Sequence, residues 1–212
     1  MRLQRIVIAA VLFAASATSV LAQHADHIVA QAPAKAAETN AALRDLWLGH
    51  IFWVRNVSVE TLVGNKAAAA AAEKQVVANA RQIADSITPF YGKEASDKLF
   101  GLLAAHYGAV KNYLAATTAG SKAGQDAENG KLAANAGEIA KFLSGANPNL
   151  PFDAVNGLLL AHGAHHVKQI QELKDKQYAA EALTWEEMKK HMYAISDALA
   201  GAIAKQFPTK FS

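Results

Sequence analysis

The sequence predicts an all-α protein, an antiparallel up-down bundle of about six helices. Three observations predict it. Alanine is abundant and β-branched residues are sparse beyond the N-terminus, a composition that favours helix. Apolar residues recur at three- and four-residue spacing over long stretches. Glycine and proline cluster between those stretches rather than inside them.

The first residues read as an export signal. "MRLQR" is a short basic region, "IVIAAVLFAASATSV" an uncharged apolar run, and "VLA" at Val20–Ala22 carries small residues where a signal peptidase cuts. We expect a signal peptide over residues 1–22 with cleavage after Ala22, a flexible lead over 23–36 around Pro33, and a helical domain over 37–212. The expected location is periplasmic or secreted. Loss of Arg2 and Arg5 takes Lys+Arg from 21 to 19 against 18 Asp+Glu, so the net charge drops from +3 to +1. That even balance argues against nucleic acid as a partner and against membrane attachment after cleavage. With no cysteine, thiolate metal sites, c-type haem attachment and cysteine nucleophiles are excluded.

Six helices follow in order. The first, 37–63, carries Leu43, Leu46, Trp47, Trp53, Val57 and Leu62 on its apolar stripe and stops at Gly64. The second, 67–87, ends at "TPFYG". The third, 93–118, ends in "TAGSKAG". The fourth, 126–143, ends at "SGANPNLP". The fifth, 151–174, opens on a proline, tolerated where its missing N–H costs little. The sixth, 181–206, is stopped by Pro208. Connections this short make consecutive helices antiparallel neighbours. "ANARQIADSITPFYGKEASDKLFGLLAAHYG" from Ala78 also aligns without gaps on "ANAGEIAKFLSGANPNLPFDAVNGLLLAHGA" from Ala134, an internal two-helix duplication at offset 56. More loosely, "GHIFWVRN" resembles "KHMYAISD", which aligns His50 with His191.

One polar residue falls on the inward stripe of each helix: His50, Asn79, His106, Asn135, His162 and His191. Their separations are 29, 27, 29, 27 and 29, with midpoints on or beside the expected turns. Each residue is about 14 positions, roughly 20 Å, from its turn. The six therefore predict one layer across the middle of the bundle. His166 follows His162 by one turn, and Glu187 precedes His191 by one turn.

Buried imidazoles and amides must find partners. A transition metal is one solution: neutral imidazole suits Zn, Cu, Ni or Fe, and facing bundle helices commonly supply such ligands. On that reading His50, His106, His162 and His191 are ligands, His166 and Glu187 are reserves, and Asn79 and Asn135 orient the ligands through hydrogen bonds. Haem with an axial histidine is a lesser alternative. The rival is a structural or protein-interaction bundle with an inert hydrogen-bonded layer. No phosphate loop, dinucleotide fingerprint, Gly-x-Ser-x-Gly or His-Glu-x-x-His motif is present, so the preferred function is binding of a transition metal or small ligand at that layer rather than catalysis.

"LWLGHIFWVRN" from Leu46, "PFYG" from Pro89 and "SGANPN" from Ser144 resemble a group of small secreted or predicted bacterial helical proteins. The resemblance spans most of the mature chain. It implies the all-α fold and carries no function with it.

Overall fold

The structure is a computed structural model that describes the backbone of residues 17–211 and the side chains of residues 34–211. The expected signal segment therefore lies mostly outside the described residues. Among the described residues there are six α-helices, a terminal 3₁₀ turn and no strand. The helices are α1 (Ala17–Leu62), α2 (Lys66–Asp85), α3 (Thr88–Thr118), α4 (Lys122–Ala146), α5 (Phe152–Lys174) and α6 (Tyr178–Gln206). Among the described residues helical backbone runs from Ala17 and includes residues 23–36, where the sequence suggested a flexible lead. Alanine's strong helix propensity accounts for the extension. Among the described residues no helix is long and apolar enough to cross a membrane.

Each helix packs on its chain neighbours, and α1 also packs on α6, which closes the bundle. Across the interior, α5 touches both α1 and α3. The starts follow local chemistry. Asn65 Oδ1 accepts from the Ala68 N–H at 3.2 Å, and Ser121 Oγ from the Gly124 N–H at 3.2 Å, so each caps an orphan donor. Gly92 interrupts α3 with φ 82° and ψ 172°. Regular helix beyond it matches the expected start at residue 93.

Three turns share one geometry. Gly64, Gly120 and Lys176 have φ of 83°, 69° and 58°, and they stand 56 residues apart. At each, the next residue's N–H bonds back five positions: Asn65 to Glu60, Ser121 to Ala116 and Gln177 to Glu172, at 2.9, 2.9 and 2.8 Å. The residue itself bonds back three positions, to Thr61, Thr117 and Leu173, at 3.1, 3.1 and 3.2 Å. These paired bonds satisfy the helix-end carbonyls in the Schellman manner.

The core forms clusters on both sides of His50. Leu43 and Trp47 on α1 pack in one with Ile83, Leu103 and Met192. Val54 and Val57, farther along α1, pack in another with Val76, Val110 and Tyr113. A third joins α4 and α5 through Ile139, Ala140, Val155 and Leu159.

Candidate functional site

Four imidazoles meet inside the bundle. His50 on α1, His106 on α3, and His162 and His166 on α5 are all buried. Each offers a ring nitrogen, and the four nitrogens lie within 4.8 Å of one another. His50, His106 and His162 form a triangle with ring centroids 6.3, 5.5 and 5.4 Å apart. His166 lies 5.6, 6.0 and 4.5 Å from those three. Its Nε2 is 3.1 Å from His162 Nε2. In sequence it is four residues on, the spacing that stacks side chains on one helix face.

The surroundings keep these rings uncharged. Burial pushes His50 down to about 3, with nearby His106 adding to the effect. Burial pushes His106 down to about 4, offset in part by the Asn135 side chain. His162 and His166 lie well below the ordinary histidine value, first from burial and then from the neighbouring imidazoles. Neutral imidazole is the form that binds a metal. His50 Nε2 and His162 Nδ1 are buried without a hydrogen-bond partner, and neither His106 nitrogen has one of good geometry, although the Asn135 side chain lies beside that ring. Each such atom costs roughly 1–3 kcal/mol.

Of the six residues of the expected layer, three imidazoles join the cluster. Asn79 and Asn135 are buried in the expected helices, with the Asn135 side chain beside His106, while His191 stays outside the imidazole cluster; all three reach the backbone of a neighbouring helix. Asn79 Nδ2 donates to the Leu46 carbonyl at 3.0 Å, and Asn135 Nδ2 to the Leu102 carbonyl at 3.1 Å. His191 Nε2 contacts the Leu158 carbonyl at 2.8 Å. In all three the partner lies 33 residues earlier. Each carbonyl is one turn before a clustered ring, so these contacts fix the helices that present His50, His106 and His162. Gly49 permits the first of them: a Cβ there would meet Asn79 Nδ2 at 3.1 Å.

His191 therefore makes the contact of Asn79 and Asn135 and is not the counterpart of His50. Its ring faces half-buried His165, with centroids 5.1 Å apart. Glu187 is 60% exposed and faces Lys168 at 3.4 Å, outside the cluster. Of the six residues expected to bind a metal, the structure brings four together, and His166 is a full member rather than a reserve. The signal for His166 was the four-residue spacing within "HGAHH".

Set against known proteins, the sequence matches no family model and no curated protein, and the fold matches no solved structure. The chemistry must be read from the side chains themselves.

The groups behind the rings are of a different kind. Arg55 grips Glu181 with two hydrogen bonds of 2.6 and 2.8 Å, and Gln169 donates to the same carboxylate at 2.9 Å. The pair joins α1 to α6 across 126 residues of sequence.

Proposed function

We propose that this protein is an exported helical-bundle binding protein that holds one transition-metal ion between His50, His106, His162 and His166. One observation carries the reading: four buried neutral imidazoles converge while several of their nitrogens have no partner. Tetrahedral coordination with bonds of about 2.1 Å places donor nitrogens about 3.4 Å apart. The cluster needs only a modest contraction, within reach of small side-chain rotations. An all-imidazole donor set suits Zn, Cu, Ni or Fe. Haem is the weaker reading, because a cofactor of that size needs several hundred Å³ and the cavity beside the rings is about 60 Å³.

The inert-layer alternative requires the rings to satisfy one another. Only the His162–His166 contact does so. A register-fixing role is better supported for Asn79, Asn135 and His191, each of which reaches a carbonyl.

We read the architecture as antiparallel hairpins repeated every 56 residues, with α1–α2, α3–α4 and α5–α6 as three copies. The shared turns at Gly64, Gly120 and Lys176 support this, as do the three contacts spanning 33 residues. His50, His106 and His162 stand at the same position of each copy, and His166 is an addition peculiar to the third.

The test is metal uptake by protein stripped with a chelator. We expect one Zn²⁺ or Cu²⁺ per chain, with Co²⁺ giving the visible absorption of a nitrogen-ligated ion. His106→Ala and His166→Ala should each lower affinity by about 100-fold or more, since even groups behind the ligands change it 10- to 100-fold. Glu187→Gln, outside the cluster, should leave affinity unchanged. No uptake, or full uptake by the ligand variants, refutes the proposal.

A further inference from the structure

The interior on one side of the rings is not filled. A cavity of about 60 Å³ reaches His50, His106 and His162 and is walled by apolar side chains including Trp47, Leu103 and Leu159. His166 does not line it. The reason is positional. On α5 the lining residues Val155, Leu158 and Leu159 all precede His162, while His166 follows it by about 6 Å along the helix. On α1 and α3 the lining residues likewise precede His50 and His106. The three rings thus separate the cavity from His166. An ion held by all four has the face opposite His166 turned toward the cavity.

Size and polarity select the occupant. On a comparable scale a water needs about 10–15 Å³, and an apolar cavity of about 150 Å³ admits benzene. A volume of 60 Å³ falls between them, at the scale of a diatomic molecule. Apolar walls do not solvate an anion, and a cavity lined in this way stays dry. Tyr91 and Asn147 bring polar groups to its lining: Asn147 Nδ2 donates to Tyr91 Oη at 2.9 Å, and Tyr91 Oη donates to Gln206 Oε1 at 2.7 Å.

We propose that this cavity is a binding chamber for a neutral diatomic molecule, of the class of dioxygen, nitric oxide and carbon monoxide, held against the face of the imidazole cluster opposite His166. The chamber stands on volume and lining alone. Only contact of its occupant with an ion rests on the metal reading.

Two probes separate these claims. Xenon reports the chamber without any metal. Metal-free protein under xenon pressure should show the atom in crystals beside Leu103 and Leu159, and Leu159→Phe should exclude it. Val155→Leu is a milder filling variant should the first fail to fold. Nitric oxide reports the ion face. Protein loaded with Fe(II) without oxygen should show the visible absorption of a five-coordinate iron nitrosyl, and either filling variant should weaken nitric oxide binding by about tenfold or more with iron content unchanged. Xenon excluded from the wild type, or seated elsewhere, overturns the chamber. Xenon bound, but no nitrosyl absorption on iron-loaded protein, overturns the placement against the ion. Failure to take up any of iron, zinc or copper overturns the metal reading, and xenon then decides the chamber by itself.

Discussion

His166 Nε2 lies 3.1 Å from His162 Nε2, one turn away on the same helix and fully inside the protein. Two neutral imidazoles in this relation share one proton between facing nitrogens, one as donor and one as acceptor. Nothing cationic is present for an incoming metal to displace. Ion uptake at pH 7 is therefore expected to release almost no protons. Calorimetry in buffers of different ionisation heat should give the same enthalpy once corrected for buffer–metal binding. Affinity should stay level from pH 8 to about 5, below the point where exposed histidines near 6.5 lose theirs. A steep fall through pH 6.5 would show that the rings are charged before binding.

The same depressed values set the acid stability of the metal-free protein. His50 and His106 titrate near 3 and 4 when folded, and near 6.5 when unfolded. Between those limits the unfolded chain binds more protons, so stability rises with pH. The contribution is complete above about pH 6.5 and is lost as pH falls toward 4 and then 3. Each ring adds a slope of up to about 1.4 kcal/mol per pH unit within its window. Urea midpoints recorded from pH 7.5 to 4.5 should drop accordingly, and His50→Leu with His106→Leu should flatten the profile.

Lys176 holds a left-handed conformation that glycine occupies at the two matching turns. A side chain there costs roughly 1–2 kcal/mol. Lys176→Gly should stabilise the protein by about 1 kcal/mol, which raises Tm by about 2–4 °C in a domain of this size. Gly120→Ala should do the reverse. Thermal unfolding of the two variants, side by side, checks both signs.

Arg55 covers a carboxylate that water barely reaches: the Glu181 side chain is 4% exposed and that of Arg55 35%. Arg55→Ala strands the charge. A fully buried pair loses about 3–5 kcal/mol when one partner is removed, and the exposure of Arg55 reduces this to about 2 kcal/mol. Glu181→Gln in the Arg55→Ala background should recover part of the loss. A double-mutant cycle in chemical denaturation measures it, and additive losses would show that the two groups do not couple.

Much of the fold was written in local signals. Gly64 and Gly120, the caps Asn65 and Ser121, and Pro208 mark ends that need little knowledge of the interior. Height along the bundle was legible too, because residue number converts directly to rise along a helix, and that placed His50, His106 and His162 together. The partner each polar side chain takes was not. Asn79, Asn135 and His191 each reach a carbonyl 33 residues back. On the three-hairpin reading proposed above, the third hairpin is the least legible, because Lys176 stands where the other two turns have glycine and His191 where the other two hairpins have asparagine. The leucines 46, 102 and 158 kept the spacing, yet leucine is too common in helices to announce it. The cavity had no sequence signature, since a void is what remains after distant side chains have packed.

The four rings are spread over residues 50 to 166. No short stretch of chain owns the site, and no fragment lacking α5 keeps more than two of its donors. A chain emerging from a ribosome or translocon cannot assemble the set until most of its length is out. If the site takes an ion as proposed above, uptake is a late event, drawn from whatever surroundings the finished bundle occupies.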